Sequence, residues 1–124
     1  MHDVIIIGAE PAGLQASLTL SRYRRPHLVI SFPKISRTRN APAVHDFLAS
    51  DGITHADFYQ KAKEQIAAYR MAYFVDDKVE STSRSGENFE VKLEDGTQFT
   101  GWKLIVAAGS IDLYFPAKDA SVMV

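Results

Sequence analysis

Val4-Ile5-Ile6-Ile7 runs without interruption into Gly8, and Gly8-Ala9-Glu10-Pro11-Ala12-Gly13 leads straight into a helical pattern. Few folds accept that order. Four apolar, β-branched residues with no polar alternation suit a strand buried on both faces, the habit of parallel sheets. Proline is tolerated in the first turn of a helix. Pro11 therefore fits the start of a helix over about residues 11–23, with Leu14, Leu18 and Tyr23 on or near one face. Ala12, Gly13 and Ala16 keep that helix thin near its start. Pro26 ends the unit, and His27-Leu28-Val29-Ile30 reads as a second strand. The β-turn-α-β arrangement closes within about thirty residues, the usual size of such a unit.

A glycine-rich turn in this position is built for phosphate. In the pattern G-x-G-x-x-G the first glycine makes the tight turn and the second lets the backbone approach a pyrophosphate. The third lets the helix pack closely on the strand. The helix then presents free N–H groups and its positive dipole end to the anion. Gly8 and Gly13 hold the first and third positions here, and Glu10 holds the second. Glu10 adds a side chain and a negative charge where the backbone would meet phosphate. Two unit charges ~4 Å apart repel by about 4 kcal/mol at an effective dielectric of ~20. A carboxylate turned into solvent feels little of that repulsion. Two readings stand: a working loop whose Glu10 turns away, and a loop that has lost its ligand. An acid for the ribose is expected about twenty residues on, at the end of the second strand. Ser31 stands there, either as a neutral ribose partner or as an ordinary loop serine.

Residues 31–54 show little periodicity and contain Pro33, Arg37, Arg39, Asn40 and Pro42. A loop of that length in a compact domain is usually functional or mobile. Thr54-His55-Ala56-Asp57 resembles a capping box, with Thr54 as N-cap. Phe58, Ala62, Ile66 and Tyr69 then predict an amphipathic helix ending near Tyr69. Residues 71–75 form a third apolar run, expected as a third parallel strand. Short alternating segments follow at 78–84, 88–94 and 97–100, separated by Ser85-Gly86-Glu87 and Asp95-Gly96. Asp-Gly between alternating runs is a strong hairpin signal, so an antiparallel three-stranded meander is expected. Residues 103–109 read as a further buried strand ending in Gly109, and 111–124 show no clear element. The fold class is α/β: a Rossmann-like parallel sheet with an antiparallel meander.

Composition narrows the function. Lys and Arg number 14 and Asp and Glu 15, a net charge of −1, which argues against coating nucleic acid or an acidic membrane. The absence of cysteine excludes disulfides, thiolate metal sites and a CxxC redox centre within this chain. His2, His27 and His55 lack metal-ligand spacing, so no metal site is expected. Arg22, Arg24 and Arg25 suit the C-terminal end of a helix. No apolar run approaches the ~18 residues of a membrane span, and the N-terminus lacks the basic start of a signal peptide. A cytoplasmic setting is the expectation. No residue stands out as a catalytic acid, base or nucleophile.

The segment from Asp3 through Gly8, Pro11-Ala12-Gly13-Leu14 and Ser17 resembles the FAD-binding start of thioredoxin-reductase-like flavoproteins. Arg39-Asn40-Ala41-Pro42, His45, Phe47-Leu48 and Asp51-Gly52 are similar to the subgroup containing fungal dithiol oxidases and related enzymes of secondary-metabolite clusters. The segment from Leu104 to Ser110 resembles the second FAD contact of the family, and Asp112 and Pro116 fall where the family often has Asp and Pro. The resemblance implies an incomplete FAD-binding domain over residues 1–116, followed by an irregular tail at 117–124. In complete relatives an NADPH-binding domain carrying the CxxC interrupts the FAD domain. Electrons then pass between NADPH, flavin and a disulfide, or from a dithiol to oxygen. The implied partners are a small dithiol or disulfide, or a thioredoxin-like protein, and a homodimer is common.

By the same resemblance, Gly8, Ala9, Glu10, Pro11, Ala12 and Gly13 hold the pyrophosphate and Ser31 the adenosine ribose. Arg39, Asn40 and His45 lie near the flavin, with Ala108 and Gly109 at the second contact. Glu10, Ser31 and Ala108 depart from the glycine, acid and threonine usual there. The competing expectation is a degenerate fragment that binds no flavin and acts as an interaction module.

Overall fold

The opening apolar run becomes β1 (His2–Ile7) in the middle of a six-stranded sheet. The computed structural model describes residues 1–32 and 43–109. After β1 come α1 (Pro11–Arg22), β2 (His27–Ser31), α2 (His55–Ala67) and β3 (Ala72–Asp76). The chain continues through β4 (Val79–Ser85), β5 (Asn88–Leu93) and β6 (Gln98–Val106). The strand order is β3-β2-β1-β6-β5-β4. β1 pairs parallel with both β2 and β6, and β2 pairs parallel with β3. The remaining pairings, β4 with β5 and β5 with β6, are antiparallel.

Period-two alternation sends the central strands' side chains to opposite faces. Val4, Ile6 and Val29 meet Leu14 of α1 and Ile66 of α2 on one face. Ile5, Leu28 and Ile30 meet Val91 and Leu93 of the meander on the other. Both faces of β1 and β2 are therefore covered, which is why neither strand alternates in sequence. Phe58 and Ala62 pack beside Ile66 as their spacing predicts. Tyr23 departs from expectation. It is the C-cap of α1, past the last helical turn, and is 74% exposed.

The predicted meander needs one correction. Segments 97–100 and 103–109 are not two strands. Residues 98–106 form the single strand β6, which starts antiparallel to β5 and continues parallel to β1; it ends at Val106, not at Gly109, and is not buried as expected, with Val106 68% exposed. The sequence pattern changes at Gly101 because the neighbours change. Gly101 is in register with both Phe89 of β5 and His2 of β1. The tail expected at 117–124 lies outside the described residues.

Thr54 caps α2 as predicted, its Oγ1 accepting from the Asp57 N–H at 3.1 Å. Thr54→Ala should lower stability by about 1 kcal/mol, read as a shift in urea midpoint at unchanged slope. The basic cluster at the end of α1 ties the two helices together: Arg24 Nη1 donates to the Tyr69 carbonyl at 3.0 Å.

His27 is a core residue, only 2% exposed. Its Nδ1 donates to the Arg25 carbonyl at 2.8 Å, and its Nε2 lies 2.6 Å from Ser17 Oγ. With Nδ1 protonated, neutral Nε2 accepts from the serine, and both ring nitrogens are satisfied. Burial holds the His27 pKa below the usual 6.5, and burial shifts His2 the same way. Between the folded-state pKa and 6.5 the unfolded chain binds more protons than the folded one. Stability therefore falls as pH drops below 6.5 and levels off once the folded-state pKa is passed. Urea midpoints between pH 7.5 and pH 5 should fall, and His27→Gln should flatten that decline. An equal decline in the variant would show that His27 is not the source.

Candidate functional site

The turn after β1 is built by contact. The Gly8 N–H donates to the Ile30 carbonyl at 2.8 Å, locking the turn to the end of β2. Gly8 has φ +110, and a Cβ there would lie 2.2 Å from the Ala107 carbonyl oxygen. A Cβ on Gly13 would lie 1.9 Å from the Gly8 carbonyl oxygen. The first and third glycines thus do what their spacing predicts: they let α1 rest on the end of β1.

Glu10 is the N-cap of α1, with φ −78 and ψ 177, ordinary extended backbone. No glycine is needed there for conformation. The Leu14 N–H donates to the Glu10 carbonyl at 2.9 Å as the first bond of the helix. The N–H groups of Ala12 and Gly13 precede it and have no partner inside the helix, and the Glu10 side chain does not cap them. Glu10 does not turn into bulk solvent. Its Oε2 lies 3.7 Å from His55 Nε2, with the two side chains 25% and 17% exposed. His55 begins α2 and stacks on Tyr59 at 6.3 Å between ring centroids.

These groups line a cleft of about 250 Å³ at the C-terminal ends of β1 and β2. From β1 the sheet runs through β2 on one side and β6 on the other, the kind of switch point where α/β sheets bind ligands. Gly8, Ala9, Glu10, Ser31 and Ala108 all reach this cleft, joining the two separated sequence motifs. Pro11 lines a neighbouring hollow of about 300 Å³ between α1 and α2. Ala12 is exposed on the first turn and Gly13 is buried beneath it.

Ser31 is 2% exposed, and its hydroxyl donates to Asp76 Oδ1 at 2.7 Å. His45 lies outside the cleft, on an exposed turn beside Asp51 at 3.4 Å. Gly109 follows Ala108 and is exposed. Arg39 and Asn40 lie outside the described residues. Phe32, His55, Tyr59, Asp77 and Lys78 also line the cleft, and sequence reasoning missed that role for all of them. The His55/Tyr59 spacing on a capped helix was visible, but nothing in sequence showed which way that helix end faced. Among the described residues no cluster of three or more ligating side chains could hold a metal, and no helix is long and apolar enough to cross a membrane.

Known proteins share this arrangement. The chain is 31% identical over 118 residues to a protein of Arthroderma benhamiae named "Probable thioredoxin reductase", covering 90% of this chain and 29% of that protein. It is 32% identical over 117 residues to the thioredoxin reductase tcpT of Claviceps purpurea, covering 90% of this chain and 35% of that protein. The solved structure of an oxidoreductase from Agrobacterium tumefaciens superposes with a TM-score of 0.84 at 35% identity, over 94% of this chain and 39% of that one. The chain thus spans roughly a third of the length of these relatives. The sequence profile of the pyridine nucleotide-disulphide oxidoreductases matches residues 2–122, which takes in both glycine motifs and every strand of the sheet. The chain belongs to the pyridine nucleotide-disulphide oxidoreductase family.

Proposed function

We propose that this chain is the FAD-binding module of a thioredoxin-reductase-like oxidoreductase acting on dithiol or disulfide substrates, with NADPH or oxygen as redox partner. The supporting observation is the cleft. It joins the turn at Gly8, the start of α1 at Glu10, the end of β2 at Ser31 and Ala108 just past the end of β6. When bound, flavin supplies the electron transfer. The chain's residues bind and orient: Ala12 and Gly13 N–H groups face the pyrophosphate, Ser31 the adenosine end, and Ala108 and Gly109 the flavin side. Arg39, Asn40 and His45 belong to the same reading as the loop flanking the flavin. Substrate, NADPH use, pairing as a homodimer and a cytoplasmic setting belong to the proposal for the whole protein.

The test is a visible spectrum of the purified chain after FAD is added and the excess removed, with a flavin titration alongside. A retained flavin band and saturable binding are expected. A colourless protein that never saturates overturns the reading. It would favour an interaction module without flavin, for which Glu10 inside the cleft and the exposed Tyr73, Trp102 and Val106 speak. Such a module would self-associate, which light scattering reads directly.

A further inference from the structure

The chain has four histidines, and among the described residues His55 is the one that lines the cleft. His2 and His27 start β1 and β2, at the opposite ends of those strands. His45 sits on the exposed turn beside Asp51. His55 opens α2 behind the Thr54 cap, stacks on Tyr59 and holds Nε2 3.7 Å from Glu10 Oε2. Both partners are largely withdrawn from water, so salt screens their charges only in part. Charged groups reach this corner from several elements. Glu10 stands at the start of α1, and Asp57 lies in the first turn of α2. Asp77 and Lys78, just past β3, line the same cleft, with Lys78 Nζ 3.5 Å from Glu94. Lys63 Nζ lies over the Tyr59 ring, 5.2 Å from its centroid. The positive end of α2 opposes a cation on His55, and the Glu10 and Asp57 carboxylates offset that opposition. Histidine is the side chain that ordinarily changes charge between pH 5 and 8. A neutral ring leaves the start of α1 with the Glu10 carboxylate. A charged ring sets an imidazolium beside it.

We infer that His55 is a proton-dependent counter-charge in the cleft, which admits a diphosphate ligand beside Glu10 and takes up a proton together with it. The inference concerns regulation of the flavin site proposed above and rests on that reading. A bound diphosphate adds negative charge to the cleft and favours the charged ring. By reciprocity the charged ring favours the diphosphate by the same factor. Affinity therefore rises as pH falls. His27 works with the opposite sign, since acid destabilises the folded chain through it. Loss of fold therefore cannot imitate the effect.

The test is FAD titration of the full chain at pH 8, 7, 6 and 5.5, read by flavin fluorescence. FAD suits it because its diphosphate stays ionised throughout. Binding should be about tenfold tighter at pH 5.5 than at pH 8. Calorimetry at pH 7 in two buffers of different ionisation heat should register proton uptake. His55→Gln should bind with the weak pH 8 affinity at every pH. His55→Lys, which keeps its charge across the range, should bind tightly at every pH. A merely structural His55 would produce neither the level profile nor the rescue. Loss of the slope in His45→Gln, with His55→Gln still responsive, overturns the inference and moves the effect to the turn. Saturable binding that stays level with pH in the unaltered chain also overturns it and leaves the flavin reading standing. Failure to bind FAD at any pH overturns both.

Discussion

Gly13→Ala should strongly destabilise this chain and lower its urea midpoint. The added Cβ would sit 1.9 Å from the Gly8 carbonyl oxygen and 2.8 Å from its carbon. Both are backbone atoms, so no rotamer change relieves the contact. Gly8 cannot retreat, because its N–H is bonded to Ile30 and its far side meets Ala107. Relief requires lifting α1 from the sheet, which would uncover Leu14 from the cluster formed with Ile6 and Val29. Overpacking commonly costs about 1–3 kcal/mol, and a clash with fixed backbone should exceed about 3 kcal/mol. That is a large share of the roughly 5–15 kcal/mol that holds a domain folded. Gly86→Ala is the control, since nothing lies within 4 Å of its added Cβ and only its φ of +63 opposes the change. It should cost about 1–2 kcal/mol. Equal urea midpoints for the two variants would refute the packing role of Gly13.

Glu10→Gly should tighten FAD binding by about tenfold. The carboxylate stands inside the cleft beside His55, on the residue that starts α1. Bare Coulomb repulsion at ~4 Å and a dielectric of ~20 sets an upper bound of about 4 kcal/mol. Partial exposure and the neighbouring imidazole reduce it, and about 1.4 kcal/mol corresponds to the tenfold change. The fold should tolerate the substitution, because the N-cap backbone is ordinary and glycine is accepted at that position. Glu10→Gln separates charge from bulk: it should recover much of the gain if repulsion dominates. Removing Glu10 also leaves His55 facing the phosphate position, so adding His55→Ala should give back part of the improvement. Fluorescence titration of all three variants measures this directly, and no gain in Glu10→Gly would show that the carboxylate is not the main obstacle.

Much of the frame was legible because it is written in short-range pattern. The apolar run into Gly8, the proline at the start of α1 and the Thr54 cap each act within a few residues. Their outcome does not depend on what lies across the sheet. The join within β6 was hidden for the opposite reason. Alternation at 97–100 and a continuous apolar run at 104–106 look like two strands, yet they record one strand exchanging neighbours. Tyr23 was misjudged because its periodicity continued past the point where the helix stopped.

The sequence by itself determined that this chain forms a β-turn-α-β unit with a glycine-anchored turn, because spacing of apolar residues and glycines sets local geometry. Only the tertiary structure decided which polar groups meet. It brought Glu10 to His55, and Ser31 to Asp76 across 45 residues of chain. Those meetings follow from parallel register and helix packing, and neither leaves a trace in local composition. The charge of the cleft therefore comes from long-range pairing, while the turn that shapes the cleft comes from six consecutive residues.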